Sequence, residues 1–156
     1  MICKRLGIGA ALAASTLAAS LALAPGAAAV VPQSATIEAD CGVYGGGAAT
    51  LTATQDGTGA TITVTSSITA PLALAEDSIA STLSLVKAGG GTTVFTGTEN
   101  PAIAAGEGVT VGPLTGTVAA GDSLEAFGGS LQMVVFGITI TCTANGPQSP
   151  GPFVFE

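Results

Sequence analysis

The chain has no histidine and no tryptophan, and its 156 residues include a single tyrosine and only three lysines and arginines. Each shortage excludes a class of chemistry. Without histidine, the usual base for a serine nucleophile is missing, and zinc loses its commonest nitrogen ligand. Three basic residues cannot neutralise a run of phosphates, so nucleic-acid binding is excluded. Sugar sites are normally floored by aromatic platforms, and here Tyr44 is the only aromatic that is not phenylalanine. No Cys-x-x-Cys is present, which removes the common redox motif. The long helical period is missing too: beyond residue 29 no stretch repeats at 3.6 residues.

What is present falls into two unequal parts. Met1-Ile2-Cys3-Lys4-Arg5 is a short basic start, Leu6 to Ala24 is an uncharged Ala/Leu-rich run, and Ala27-Ala28-Ala29 follows Pro25-Gly26. A basic start, an apolar middle and an Ala-x-Ala exit predict a secretory signal peptide over 1–29, with Val30 as the new terminus. Val30 is not the cysteine that a lipoprotein anchor would need. Export removes Cys3, Lys4 and Arg5, so the mature chain sets one lysine, Lys87, against ten carboxylates, a formal charge of −9. That surface repels nucleic acid and anionic lipid. No membrane span is expected in the mature chain, and the expected location is extracellular.

The mature part is rich in Gly, Ala, Thr, Ser and Val and alternates with period two, which predicts an all-β domain over 36–144. Residues 30–35 read as a flexible lead-in, and the Pro/Gly-rich 145–156 as a flexible tail, with Phe153-Val154-Phe155 able to dock as an edge strand. Ile37, Ala39, Cys41 and Val43 share one parity from Thr36 to Tyr44. Leu51 and Ala53, then Ile62 and Val64, alternate with threonines around an Asp56-Gly57 turn. Ile79, Leu83 and Leu85 mark another strand, and Val94-Phe95 the next. Val109 and Val111 follow, with Pro113 interrupting. Leu131 to Thr143 reads as one long strand that sets Phe136, Ile138, Ile140 and Cys142 on a single face. About seven to eight short antiparallel strands at this spacing predict an immunoglobulin-like β-sandwich.

Cys41 and Cys142 survive export and lie on the inward parity of the first and last strong strands. An even count in an oxidising compartment predicts a disulfide that joins the two ends of the domain. By the chain-entropy argument such a long loop is worth about 4–5 kcal/mol.

One tetrapeptide points to catalysis. Gly121-Asp122-Ser123-Leu124 matches the nucleophile signature of a large esterase and lipase family. In that family it stands early in an α/β chain and works with a distant histidine; here it stands late, and no histidine exists. Lys87 is the single base left for a Ser-Lys pair, so Ser123 reads as the start of a strand after a turn. Glu99, Glu107, Asp122 and Glu125 could meet at one end as paired carboxylates, and Glu76-Asp77 or Glu99-Asn100 could offer oxygen to calcium. Neither set has the further ligands or clamps such sites need, and no catalytic, cofactor or metal site is expected.

The early cysteine strand, the segments "TAPLALAEDSI" and "NPAIAAGEGVTV", and the closing cysteine strand resemble actinobacterial secreted proteins with a single immunoglobulin-like sandwich and one disulfide. Most of those have no assigned function. The chain is also similar to antibiotic-binding carrier apoproteins, small acidic secreted sandwiches that carry two disulfides where this chain can form one. The expectation is therefore a non-enzymatic module acting on an unidentified protein or cell-envelope partner. The alternative is a carrier of a small apolar ligand, in a cleft lined by Phe95, Phe127 and Phe136.

Overall fold

The computed structural model describes residues 29–156; the basic start and apolar run, residues 1–28, lie outside the described residues. Among the described residues are nine strands and a single 3₁₀ turn at Gly42–Tyr44. The strands are β1 Ser34–Asp40, β2 Gly46–Asp56, β3 Gly59–Thr69, β4 Ala80–Lys87, β5 Thr92–Gly97, β6 Gly108–Thr117, β7 Ser123–Val135, β8 Ile138–Ala144 and β9 Phe153–Val154.

Alternation builds them. Leu51 and Ala53 of β2, and Ala60, Ile62 and Val64 of β3, point inward and are buried. On the outer face Thr50 faces Thr65, Thr52 faces Thr63 and Thr54 faces Thr61. The last pair shares a hydroxyl hydrogen bond of 2.6 Å. β-branched pairs of this kind favour the extended backbone and contribute a few tenths of a kcal/mol or more each.

The strand order is β4-β5-β6-β3-β2-β1-β8-β7, and β7 returns to pair with β4, so eight antiparallel strands close on themselves with β9 added along β7. The immunoglobulin-like sandwich expected from the sequence is therefore incorrect: the fold is a closed barrel. An inward/outward alternation satisfies either architecture, because both bury one face of every strand. The difference lies in two joins that carry no sequence pattern. β5 meets β6 through the single pair Thr96–Thr115, reinforced by the Thr115 hydroxyl donating to the Thr96 carbonyl at 3.3 Å. β1 meets β8 through Ala39–Ala144 and Asp40–Thr143. Each join pairs backbone groups that a sandwich would leave along a free edge.

The long strand expected over 131–143 is two strands. Phe136 and Gly137 turn the chain with φ of 51° and 78°, both positive, as a two-residue hairpin of the primed type requires. Val43, expected on the inward face of the first strand, instead sits in the 3₁₀ turn with 95% of its surface exposed. β6 runs through Pro113 with a register shift opposite Ile62 and Val64. Gly116 has a steric reason: a Cβ there would stand 2.6 Å from the Phe95 ring, so only glycine lets β6 cross that side chain.

The two segments expected to be flexible are built into the fold. Val30 is buried, Val31 pairs with Val154, and Ala35 is a core residue of β1. The tail threads back across the barrel end where β7 starts. Ser149 exchanges backbone bonds with Thr36 at 2.8 and 2.9 Å, and the Phe155 amide donates to Asp122 at 2.9 Å. Phe153 and Phe155 are wholly buried, joining Val30, Val118 and Leu124 in the core. Gln148, also buried, donates its side-chain amide to Gly151 and accepts from the Ala126 amide at 2.9 Å. That bond serves a backbone group freed by the bulge in β7, where Ser130 faces Ser84 but Glu125 faces Val86.

The tail is thus a plug. Phe153→Ala is expected to cost about 3–5 kcal/mol of unfolding free energy, the range for emptying a buried aromatic site. Urea unfolding checks it, and a loss below about 1 kcal/mol would show that the tail rests on the barrel without closing it.

Candidate functional site

The opposite end of the barrel is not plugged. A cavity of about 410 Å³ opens there, and its origin lies in the β1–β8 join. After Cys41 the chain leaves the barrel wall: the Cys41 amide bonds to Gly45 at 2.8 Å, and the Gly42 amide to the Asp40 carboxylate at 2.7 Å. β8 continues past that point, so its residues from Ile138 to Thr141 pair with β7 alone. The two strands part like a fork, and the Cys41–Cys142 disulfide stands in the crotch, buried and on the cavity wall. The disulfide predicted from the inward parity of these two cysteines is present.

Small side chains leave the space unfilled. Ala39, Ala49, Ala126 and Ala144 line the cavity at positions where larger groups would occupy it. Leu51, Val64, Leu131, Met133 and Ile140 supply the remaining apolar surface. Asp, Glu, Lys and Arg are absent from the lining, and the hydroxyl-bearing side chains are Tyr44, Ser66, Thr69, Ser130 and Thr143. Ser66 spends its hydrogen on the Val109 carbonyl at 3.0 Å.

Three segments frame the mouth. They are the 3₁₀ turn with Val43 and Tyr44, the loop 70–79 with Leu72, and the β7–β8 hairpin with Phe136 and Ile138. Phe136 is 72% exposed. A large side chain left in solvent, on a residue held at positive φ, costs on the order of 1 kcal/mol or more in backbone strain. Such outliers cluster where a surface is used.

The loop is held by the Leu74–Ile103 bridge, with backbone bonds of 2.8 and 2.9 Å, and by one buried side chain. The Asn100 carbonyl oxygen accepts from the Ser78 and Ile79 amides at 2.8 and 2.9 Å. Its amide nitrogen donates to Ala75 and Pro101, both at 2.8 Å. All four bonds are therefore structural, and the calcium role considered for Glu99-Asn100 loses its amide. Among the described residues no group of three or more acidic, cysteine or histidine side chains is placed to hold a metal.

The phenylalanines do not gather as expected. Phe95 is buried in β5 beneath Gly116, Phe127 stands half exposed on the β7 bulge, and neither lines the cavity. Phe136 alone does, at the rim. The residues that sequence reasoning missed are the alanines. Their inward parity was visible, but a small residue on an inward face reads equally as tight packing.

The four carboxylates are likewise divided. Glu99 and Glu107 precede β6 at the open end, whereas Asp122 and Glu125 belong to the plugged end. Asp122 accepts from the Ala119 amide at 2.9 Å and holds Lys87 at 3.2 Å. Ser123 begins β7, its carbonyl accepting from Ala88 at 3.0 Å. The Gly-Asp-Ser-Leu stretch is a turn whose aspartate ties it shut, and it lies at the end of the barrel away from the cavity. Compared with models of known families, with curated proteins and with solved structures, the chain matches none. Among the described residues no helix is long and apolar enough to cross a membrane.

Two outcomes test this geometry. Asn100→Ala orphans the Ser78 and Ile79 amides and is expected to cost about 2–3 kcal/mol, with faster hydrogen exchange at those two positions first. The Asp122 carboxyl is held below its ordinary pKa, chiefly by the Ala119 amide; desolvation opposes this, and Lys87 adds to the lowering through its hydrogen bond and its charge. A depressed carboxylate adds stability that is full above its unfolded-state pKa and lost as pH falls through the folded one. Asp122→Asn should therefore flatten the acid limb of the stability–pH curve and leave its shape near neutrality unchanged.

Proposed function

We propose that this protein binds and carries a small apolar molecule in the open end of its barrel, without performing chemistry on it. The observation that carries this reading is the cavity: apolar walls, no charged side chain in the lining, and a mouth framed by exposed apolar residues. Ligand sites of a few hundred Å³ with mainly apolar lining and a few hydroxyl groups are the usual form for small molecules. The proposed setting is extracellular. The basic, apolar and Ala-x-Ala segments at 1–29 read as a signal peptide. A buried disulfide fits an oxidising compartment.

A second reading, an interaction module for a cell-envelope partner, draws on the same rim, since Val43, Leu72 and Phe136 could dock a protein surface. The two readings differ in where the binding energy lies, inside the barrel or around its mouth.

Titration with a neutral apolar fluorophore such as Nile red separates them. Saturable one-site binding is expected. Ile140→Trp, which fills the half-buried inner wall, should weaken it on the order of tenfold or more with the fold retained. Binding unaffected by that change, but abolished by rim substitutions such as Leu72→Ser, would favour the docking module. The intact mass of the secreted protein should correspond to a start at Val30 and one disulfide, and a retained leader would remove the extracellular setting.

A further inference from the structure

We propose that the cavity sorts amphiphiles by the sign of their charge, taking neutral or cationic ones and refusing anionic ones such as fatty acids. This rests on the carrier reading and names its ligand class. An amphiphile that fills an apolar cavity must place its head either among the lining groups or in water just outside the mouth, and both positions are hostile to a carboxylate.

Inside, no lining side chain carries a positive charge, and an unpaired carboxylate loses its hydration without compensation. Outside, the charged residues that adjoin the lining in the chain are acids. Asp40 stands between the cavity-lining Ala39 and Cys41, and Glu76 and Asp77 belong to the loop that frames the mouth. Glu107 bonds through its carbonyl to the cavity-lining Ala70 at 2.9 Å. All four are exposed. Among the described residues Lys87 is the only base, and it sits at the plugged end, bound to Asp122 at 3.2 Å. Acids within about 10 Å of a head group act on it with little screening in dilute salt, and a field of one sign at a cleft changes local ligand concentration tenfold or more. A neutral head meets hydroxyl groups of Thr69, Thr143 and Tyr44, which donate or accept equally well.

The test is displacement of bound Nile red by three ten-carbon amphiphiles, decan-1-ol, decylammonium and decanoate, at about pH 8, where both ionic heads are charged. Decylammonium carries the same chain as decanoate, so comparing these two isolates the sign of the head. In dilute buffer decylammonium is expected to displace the dye at a concentration roughly tenfold or more below that of decanoate. The gap should narrow in about 0.5 M salt. Decan-1-ol should displace as well. Glu76→Lys, a change at an exposed position of the mouth loop that is not part of the cavity lining, should lower the decanoate midpoint several-fold and leave decan-1-ol unchanged. Decanoate that matches or beats decylammonium, or a Glu76→Lys protein that gains nothing for decanoate, overturns the charge sorting. Failure of Nile red itself to bind overturns the carrier reading instead.

Discussion

The join between β1 and β8 governs the rest of the molecule. The two strands pair over Ala39–Ala144 and Asp40–Thr143 and then diverge, with Cys41 and Cys142 bonded where they part. Two ladder positions are a weak closure, and the covalent bond makes up the difference. Because the bond joins residues 101 apart in sequence, it removes a large loop entropy from the unfolded chain and fixes the fork in the folded one. A longer β1–β8 pairing would have closed the side of the mouth that lies between these two strands. The disulfide allows closure and opening at the same place.

The barrel is correspondingly asymmetric along its axis. One end is filled by the returning tail, with Phe153 and Phe155 buried against Leu124 and Val30, and Gln148 and Asp122 meeting backbone groups that the turns leave free. The other end puts alanine where a filled core would place larger residues, and it leaves Val43, Leu72 and Phe136 in solvent. Exposed apolar area and an αL phenylalanine both work against stability. The three most exposed large apolar side chains of the described residues, Val43, Phe136 and Leu72, stand around one cavity, an arrangement that favours a site over loose packing.

Much of this was legible in the sequence, and the failures share a cause. Period-two alternation located β2, β3, β4 and β5 because each buries one face, and the inward parity of Cys41 and Cys142 foretold their bond. What alternation cannot carry is which strand lies beside which, so a sandwich and a closed barrel were indistinguishable. Phe136-Gly137 escaped notice because its turn lacks the asparagine or aspartate that marks primed hairpins, and its flanks alternate without interruption. Val43 kept the parity of β1 after Gly42 had already turned the chain aside. The Pro/Gly-rich tail read as flexible since its order comes from distant partners, Thr36 and Asp122, that no local pattern reveals. Gly121-Asp122-Ser123-Leu124 was legible as a turn entering a strand, because Gly-Asp marks the turn and β7 begins at Ser123.

The central claim is that the open end of the barrel, and not its rim or outer surface, holds an apolar ligand. Methyl NMR during titration with decan-1-ol tests this most directly. The account predicts shifts at the cavity methyls of Leu51, Val64, Met133 and Ile140, with those of Leu124 and Leu114 unmoved. Shifts confined to Val43, Leu72 and the outward-facing Val94 and Val134, with the inner methyls silent, would contradict it.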